Sequence, residues 1–209
     1  ISHGASSSVL GDKTALPYFL RTSVSSVNEA SELNNLFRVF RWKRIGIITS
    51  TDSYCLDVGN NVRDRFTSSP ADTSENNGGD GGTKTKTKAG EVLYTGSFAE
   101  LEYGAGAAEI DAAASKRGAD GLATHARRLK ELGVRIIYVN MITMESMRAV
   151  FRAFATAGFN SSGYGFITSS WEDVMSPDGE LLGLPEEAAG VINMKAESKT
   201  GWGKSFRES

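Results

Sequence analysis

Cysteine is nearly absent from this chain. Cys55 is the only one in 209 residues, so an internal disulfide framework is excluded. Large domains fold without disulfides, so the compartment stays open on this ground. Cys55 itself reads as a small, half-buried hydrophobe. Histidine is almost as scarce. His3 and His125 are far apart and lack ligand-spaced partners, so no metal site and no cofactor is expected. Charge of one sign is missing too: the net charge is −2, with acidic and basic residues interspersed. No basic stripe suggests nucleic acid. No apolar run reaches the roughly 20 residues of a membrane helix. The sequence has no Gly-x-Ser-x-Gly elbow, Walker loop, paired histidine ligands or Cys-His pair, which leaves an α/β enzyme weakly supported. There is no signal-peptide pattern, and the first residue is Ile1 rather than Met.

What is present suits a packed α/β domain. Hydrophobic residues make up 40% of the chain, enough for a core. Ser26 and Glu29 have the spacing of a capping box, followed by Ala30, Leu33, Phe37 and Phe40 on one helical face. A β-branched run at 45–50 predicts a buried strand, 55–66 a helix and 91–98 a second strand. A further helix carries Leu122, Ala126, Leu129 and Leu132 and stops at Gly133; 134–139 is the most apolar strand. Thr143 can cap a helix with Met144, Met147, Phe151 and Phe154 inside, ended by Gly158, and 164–168 reads as another strand. Short apolar strands alternating with amphipathic helices imply a parallel sheet covered on both faces.

Two segments interrupt this order. Residues 68–90 are rich in Ser, Thr, Asn, Gly and Lys and predict a disordered surface insertion. The glycines at 78–82 lack the flanking strand and helix of a phosphate loop. Residues 103–121 are rich in Ala and Gly and read as a second insertion with a short helix near 107–116. The sequon at Asn160 is a glycosylation acceptor in a secreted chain, although so short a pattern arises easily by chance.

Several motifs share one order and spacing. They are Ile1-Ser2-His3-Gly4-Ala5-Ser6-Ser7-Ser8, Leu10-Gly11-Asp12, Pro17-Tyr18-Phe19-Leu20-Arg21-Thr22, Phe40-Arg41-Trp42, Asp52-Ser53-Tyr54 and Tyr164-Gly165-Phe166 up to Trp171. Together they resemble the ligand-binding region of type I periplasmic-binding-protein-like receptors, as in metabotropic glutamate, GABA type B and natriuretic-peptide receptors. Cys55 stands where that family usually has glycine.

The resemblance implies an α/β fold of parallel sheets flanked by helices, in two lobes of which lobe 1 is incomplete. Residues 1–22 would be the tail of lobe 1, 23–171 lobe 2, and 172–209 a return towards lobe 1. The missing upstream units lead us to expect an interior fragment. The implied function is an extracellular, ligand-sensing domain of a membrane receptor that binds a small molecule in the interlobe cleft. Carboxylate-bearing ligands are among the candidates, a receptor dimer is the implied assembly, and the membrane would be met only through other parts of the parent. The alternative is a soluble solute-binding protein delivering amino acids or amides to a transporter.

The implied ligand-binding residues are Ser6, Ser7, Ser26, Tyr54 and Met141. Ser6 can also be a surface-turn hydroxyl, Ser26 a helix cap and Tyr54 a half-buried residue at a strand end. Amino-acid-binding relatives place a carboxylate in lobe 2, but here Asn140-Met141-Ile142 and Ser169-Ser170 occupy those places. Asp52 and Glu172 are the candidate substitutes. Burying an ammonium group without a paired charge is costly, which argues against a free α-amino acid.

Overall fold

The computed structural model describes residues 8–20, 25–68, 90–159, 163–169, 174–175, 181–182 and 191–194. Ser6, Ser7, residues 69–89, Asn160, Trp171, Glu172 and Trp202 lie outside the described residues. After a 3-10 turn, Ser8–Gly11, the elements are α1 (Ser26–Val39), β1 (Arg44–Ser50), α2 (Ser53–Ser68), β2 (Glu91–Phe98), α3 (Ala107–Ser115), α4 (Leu122–Glu131), β3 (Ile136–Asn140), α5 (Met144–Thr156) and β4 (Gly165–Ser169). Three short strands follow: β5 (Val174–Met175), β6 (Leu181–Leu182) and β7 (Ile192–Met194).

β1 to β4 and β7 form one parallel sheet in the order β2-β1-β3-β4-β7, while β5 and β6 pair antiparallel. Parallel strands need crossover helices, and these cover both faces. α1 and α2 cover one face, packing Leu33, Phe37, Val58 and Val62 on Ile45, Ile47, Tyr138 and Ile167. α3, α4 and α5 cover the other, packing Ile110, Leu129, Met147 and Phe154 on Ile48, Ile137 and Val139. Alternate residues of β1 and β3 divide between the two cores because side chains alternate along a strand.

The helix ends follow local chemistry. α4 and α5 close in Schellman motifs. Gly133 (φ 65°) and Gly158 (φ 82°) supply the left-handed residue, while Val134 N–H bonds Leu129 O and Phe159 N–H bonds Phe154 O, each at 3.0 Å. This is why β3 starts at Ile136 and not at Val134: the Val134 amide still serves the helix. α1 closes in the same way with Arg41 (φ 56°) in place of glycine, and Trp42 N–H bonds Phe37 O at 2.8 Å. The segment between β2 and α4 is packed through α3, whose Ile110 and Ala114 enter the larger core.

The first cap corrects the sequence reading. Ser25, extended at φ −80° and ψ 141°, is the N-cap of α1, and its side chain accepts from Val27 N–H at 3.4 Å. Ser26 lies one position inside the helix, fully buried. Adjacent serines satisfy the same capping pattern, and only the backbone turn decides between them. Thr143 caps α5 as expected, its side chain accepting from Ser146 N–H at 3.2 Å.

Candidate functional site

The strand order marks where a ligand site would lie. From β1 the chain crosses to β2 on one side, then returns past β1 to β3 on the other. In open parallel sheets ligands sit beyond the carboxyl ends of the strands at such a reversal. Here that place is bounded by the segment after β1, the segment after β3 and the start of α1.

Six polar side chains meet there on the α1/α2 side. Ser26 Oγ donates to Asp57 Oδ2 at 2.7 Å, and Asn61 Nδ2 donates to Asp57 Oδ1 at 3.1 Å. Glu29, in the first turn of α1, accepts from the Tyr54 hydroxyl with one oxygen and from the Tyr138 hydroxyl, at 3.5 Å, with the other. Tyr138 is fully buried and Tyr54 partly so. One carboxylate is thus held between two phenols from different elements.

Asn140 ends β3 on the same face. Its Cα pairs with Thr49 of β1, and strand alternation points it the way of Tyr138, towards α1 and α2. It is fully buried, yet neither its amide nitrogen nor its amide oxygen has a hydrogen-bond partner among the described residues. Leaving a buried polar group unpaired costs about 1–3 kcal/mol, so an orphan of this kind needs an explanation.

The two neighbouring segments are tied down by carboxylates. Asp52 Oδ1 accepts from Tyr54 N–H at 2.8 Å and Cys55 N–H at 3.4 Å, capping α2 and fixing Tyr54. Asp52 therefore serves the helix start. Glu100, just after β2, accepts from Ile142 N–H at 3.1 Å, Thr143 N–H at 2.8 Å and Thr143 Oγ1 at 2.9 Å. The amino end of α5 is thereby neutralised from within the chain, as the helix dipole favours.

Cys55 reports the local field. It is fully buried, and burial pushes its thiol up to about 12; a hydrogen bond with Ser50 opposes this, while the charges of Glu100, Asp52 and Glu29 push it further. A thiol so shifted stays protonated and does not act as a nucleophile at neutral pH. The same three carboxylates therefore lie near the start of α2. The segment Asn140-Met141-Ile142 after β3 carries no carboxylate, and α1 supplies Glu29 instead.

The structure therefore brings Ser26 and Tyr54 to one place and sends Met141 elsewhere. Met141 is buried in the α3–α5 core, with Met144 and Met147. Sequence reasoning passed over Glu29, Asp57, Tyr138 and Asn140 as site residues. Glu29 carried a visible signal only as a capping residue, and Tyr138 looked like one more apolar strand position. His125 is structural: it is buried, with Nε2 against Ser97 O and Nδ1 against the Tyr94 hydroxyl, each at 2.8 Å. The carbonyl can only accept, so Nε2 carries the proton.

Among the described residues no group of three or more His, Cys, Asp or Glu side chains could hold a metal, and no helix is long and apolar enough to cross a membrane. No curated protein matches the chain. The family described as the receptor family ligand binding region matches residues 1–201, nearly the whole length. That is a ligand-binding family rather than an enzyme family, and the parallel α/β architecture agrees with a type I periplasmic-binding-protein-like fold. The chain belongs to the receptor family ligand binding region.

Proposed function

We propose that this chain is the sensing part of a membrane receptor, displayed on the extracellular side, and that it binds a small molecule at the mouth beyond β1 and β3. Residues 1–22 would belong to the lobe that closes over this mouth, and 23–171 to the lobe described above, whose sheet is completed at one edge by β7, paired with β4. The reading rests on one observation: a carboxylate between two phenols beside a buried, unpartnered amide, all at the reversal of the sheet. That set suits a ligand with a protonated amine, drawn by Glu29, next to a group that both donates and accepts. The amide of Asn140 offers both roles. A ligand that closes two lobes must bind the closed form more tightly than the open one, and contacts from both sides supply that difference.

A thermal-shift screen of amines, amides and small carboxylates, followed by calorimetry, tests this. Hydrogen bonds to charged groups contribute about 1.5–3 kcal/mol, so Glu29→Gln is expected to weaken an amine ligand by roughly tenfold or more. Tyr54→Phe should weaken it less, since the phenol only orients the carboxylate. Hits that bind the Glu29→Gln chain as tightly as the parent would remove the site assignment. Receptor membership is read separately from the parent's reading frame: one without a membrane-spanning segment would favour the transporter-linked binding protein.

A further inference from the structure

A concavity lies away from the mouth. It is a groove of about 910 Å³ between α3, α4 and α5, on the opposite face of the sheet from Glu29 and Asn140. It reaches the carboxyl ends of α3 and α5, and α5 runs from the segment after β3 back to the start of β4. The groove therefore extends towards the amino ends of the strands, where the mouth is not. Its volume falls in the range of small-molecule sites, about 300–1,000 Å³.

Two features of the lining point to an occupant. The apolar part is alanine methyl, with Ala114, Ala123, Ala153 and Ala157 contributed by all three helices. The charged part is unbalanced: Arg117, Arg127, Lys130 and Arg152 line it against only Asp111 and Glu131. The two acids are already engaged. Asp111 pairs with Arg152 at 2.6 Å, and Glu131 pairs with Arg128 at 3.0 Å, leaving Arg127 at 3.8 Å. Lys130 donates to Ala157 O at 2.5 Å at the carboxyl end of α5. Arg117 has no ion pair among the described residues.

We propose that this groove is a second binding site, separate from the interlobe mouth, for a small organic anion: a carboxylate head on a flat or chain-like apolar body. The body lies on the alanine floor, and Arg117 and Arg127 take the head. Arginine suits this because its planar fork matches a carboxylate with two parallel hydrogen bonds. The inference stands on the groove alone and does not depend on what the mouth binds.

The probe is 2-naphthoate, with neutral 2-naphthamide as its partner of the same shape. Binding is followed on the full chain, labelled at alanine methyls, by NMR. Naphthoate is expected to bind with a Kd on the order of 0.1–1 mM and to shift the methyls of Ala123, Ala153 and Ala157. Naphthamide should bind about fivefold or more weakly, and the difference should shrink as salt is raised. The double variant Arg117→Glu and Arg127→Glu, at exposed positions that leave the core intact, should weaken naphthoate about tenfold or more. Ala123→Leu, which fills the groove, should abolish the shifts for both compounds. Equal affinity of acid and amide, an unchanged affinity in the charge-reversed chain, or shifts confined to alanines outside the groove would each overturn the proposal.

Discussion

Replacing Asn140 by leucine should make the protein more stable and less able to bind. Asn140 is fully buried, and both ends of its amide are unpartnered among the described residues. An amide left in this state costs about 1–3 kcal/mol. Leucine has a similar shape and nothing to satisfy. The penalty from its slightly different outline is about 1.5 kcal/mol at most for a swap of similar volume. The balance is a gain of about 1–2 kcal/mol, and for a chain of this size each kcal/mol moves the melting temperature by roughly 2–4 °C. Calorimetric or circular-dichroism melting should therefore show a rise of roughly 2–8 °C, since stability is often given up at functional sites. Ligands found in the screen should lose about tenfold or more in affinity, because the paired donor and acceptor are gone. A lower melting temperature would show that the amide is satisfied in the native state and would remove the premise. Unchanged ligand affinity would separate Asn140 from the site even if stability rises.

Two further outcomes follow from the packing. A Cβ at Gly96 would lie 2.7 Å from His125 Nδ1 and 2.9 Å from Cε1, and the ring is held at both nitrogens, so Gly96→Ala should cost about 1–3 kcal/mol in denaturant unfolding; a neutral result would mean the ring is free to move aside. Cys55 keeps its proton in the folded state up to about 12, whereas the ordinary thiol value is 9.0. Between these limits the unfolded chain binds fewer protons than the folded one, so stability should fall as pH rises from about 9 towards 12. Cys55→Ala should flatten this decline in pH-dependent melting, and an unaltered slope would contradict the burial argument; the Tyr94 phenol, also raised by burial, supplies part of what remains.

Much of the architecture was legible because it is local. The 3.6-residue spacing of Met147, Phe151 and Phe154, the cap at Thr143 and the stops at Gly133 and Gly158 depend on neighbours a few positions away, and α5 and the end of α4 emerge as read. Where two neighbours fit equally well, as at Ser25 and Ser26, local pattern could not choose. The ordered motifs carried the family, since order and spacing are properties of the chain itself.

The site belongs to the tertiary structure. Glu29 and Tyr138 are 109 residues apart, and nothing in either neighbourhood shows that one carboxylate will sit between that phenol and Tyr54. Asn140 reads as the polar end of an apolar strand; only the pairing with Thr49 and the cover from α1 and α2 bury it without a partner. The alanines of α3, α4 and α5 look like helix formers until three helices are laid side by side and leave a groove. Sequence determined which elements form, because backbone and side-chain preferences act at short range. The sheet order decided which polar groups meet, because their encounter depends on crossovers that no local pattern records.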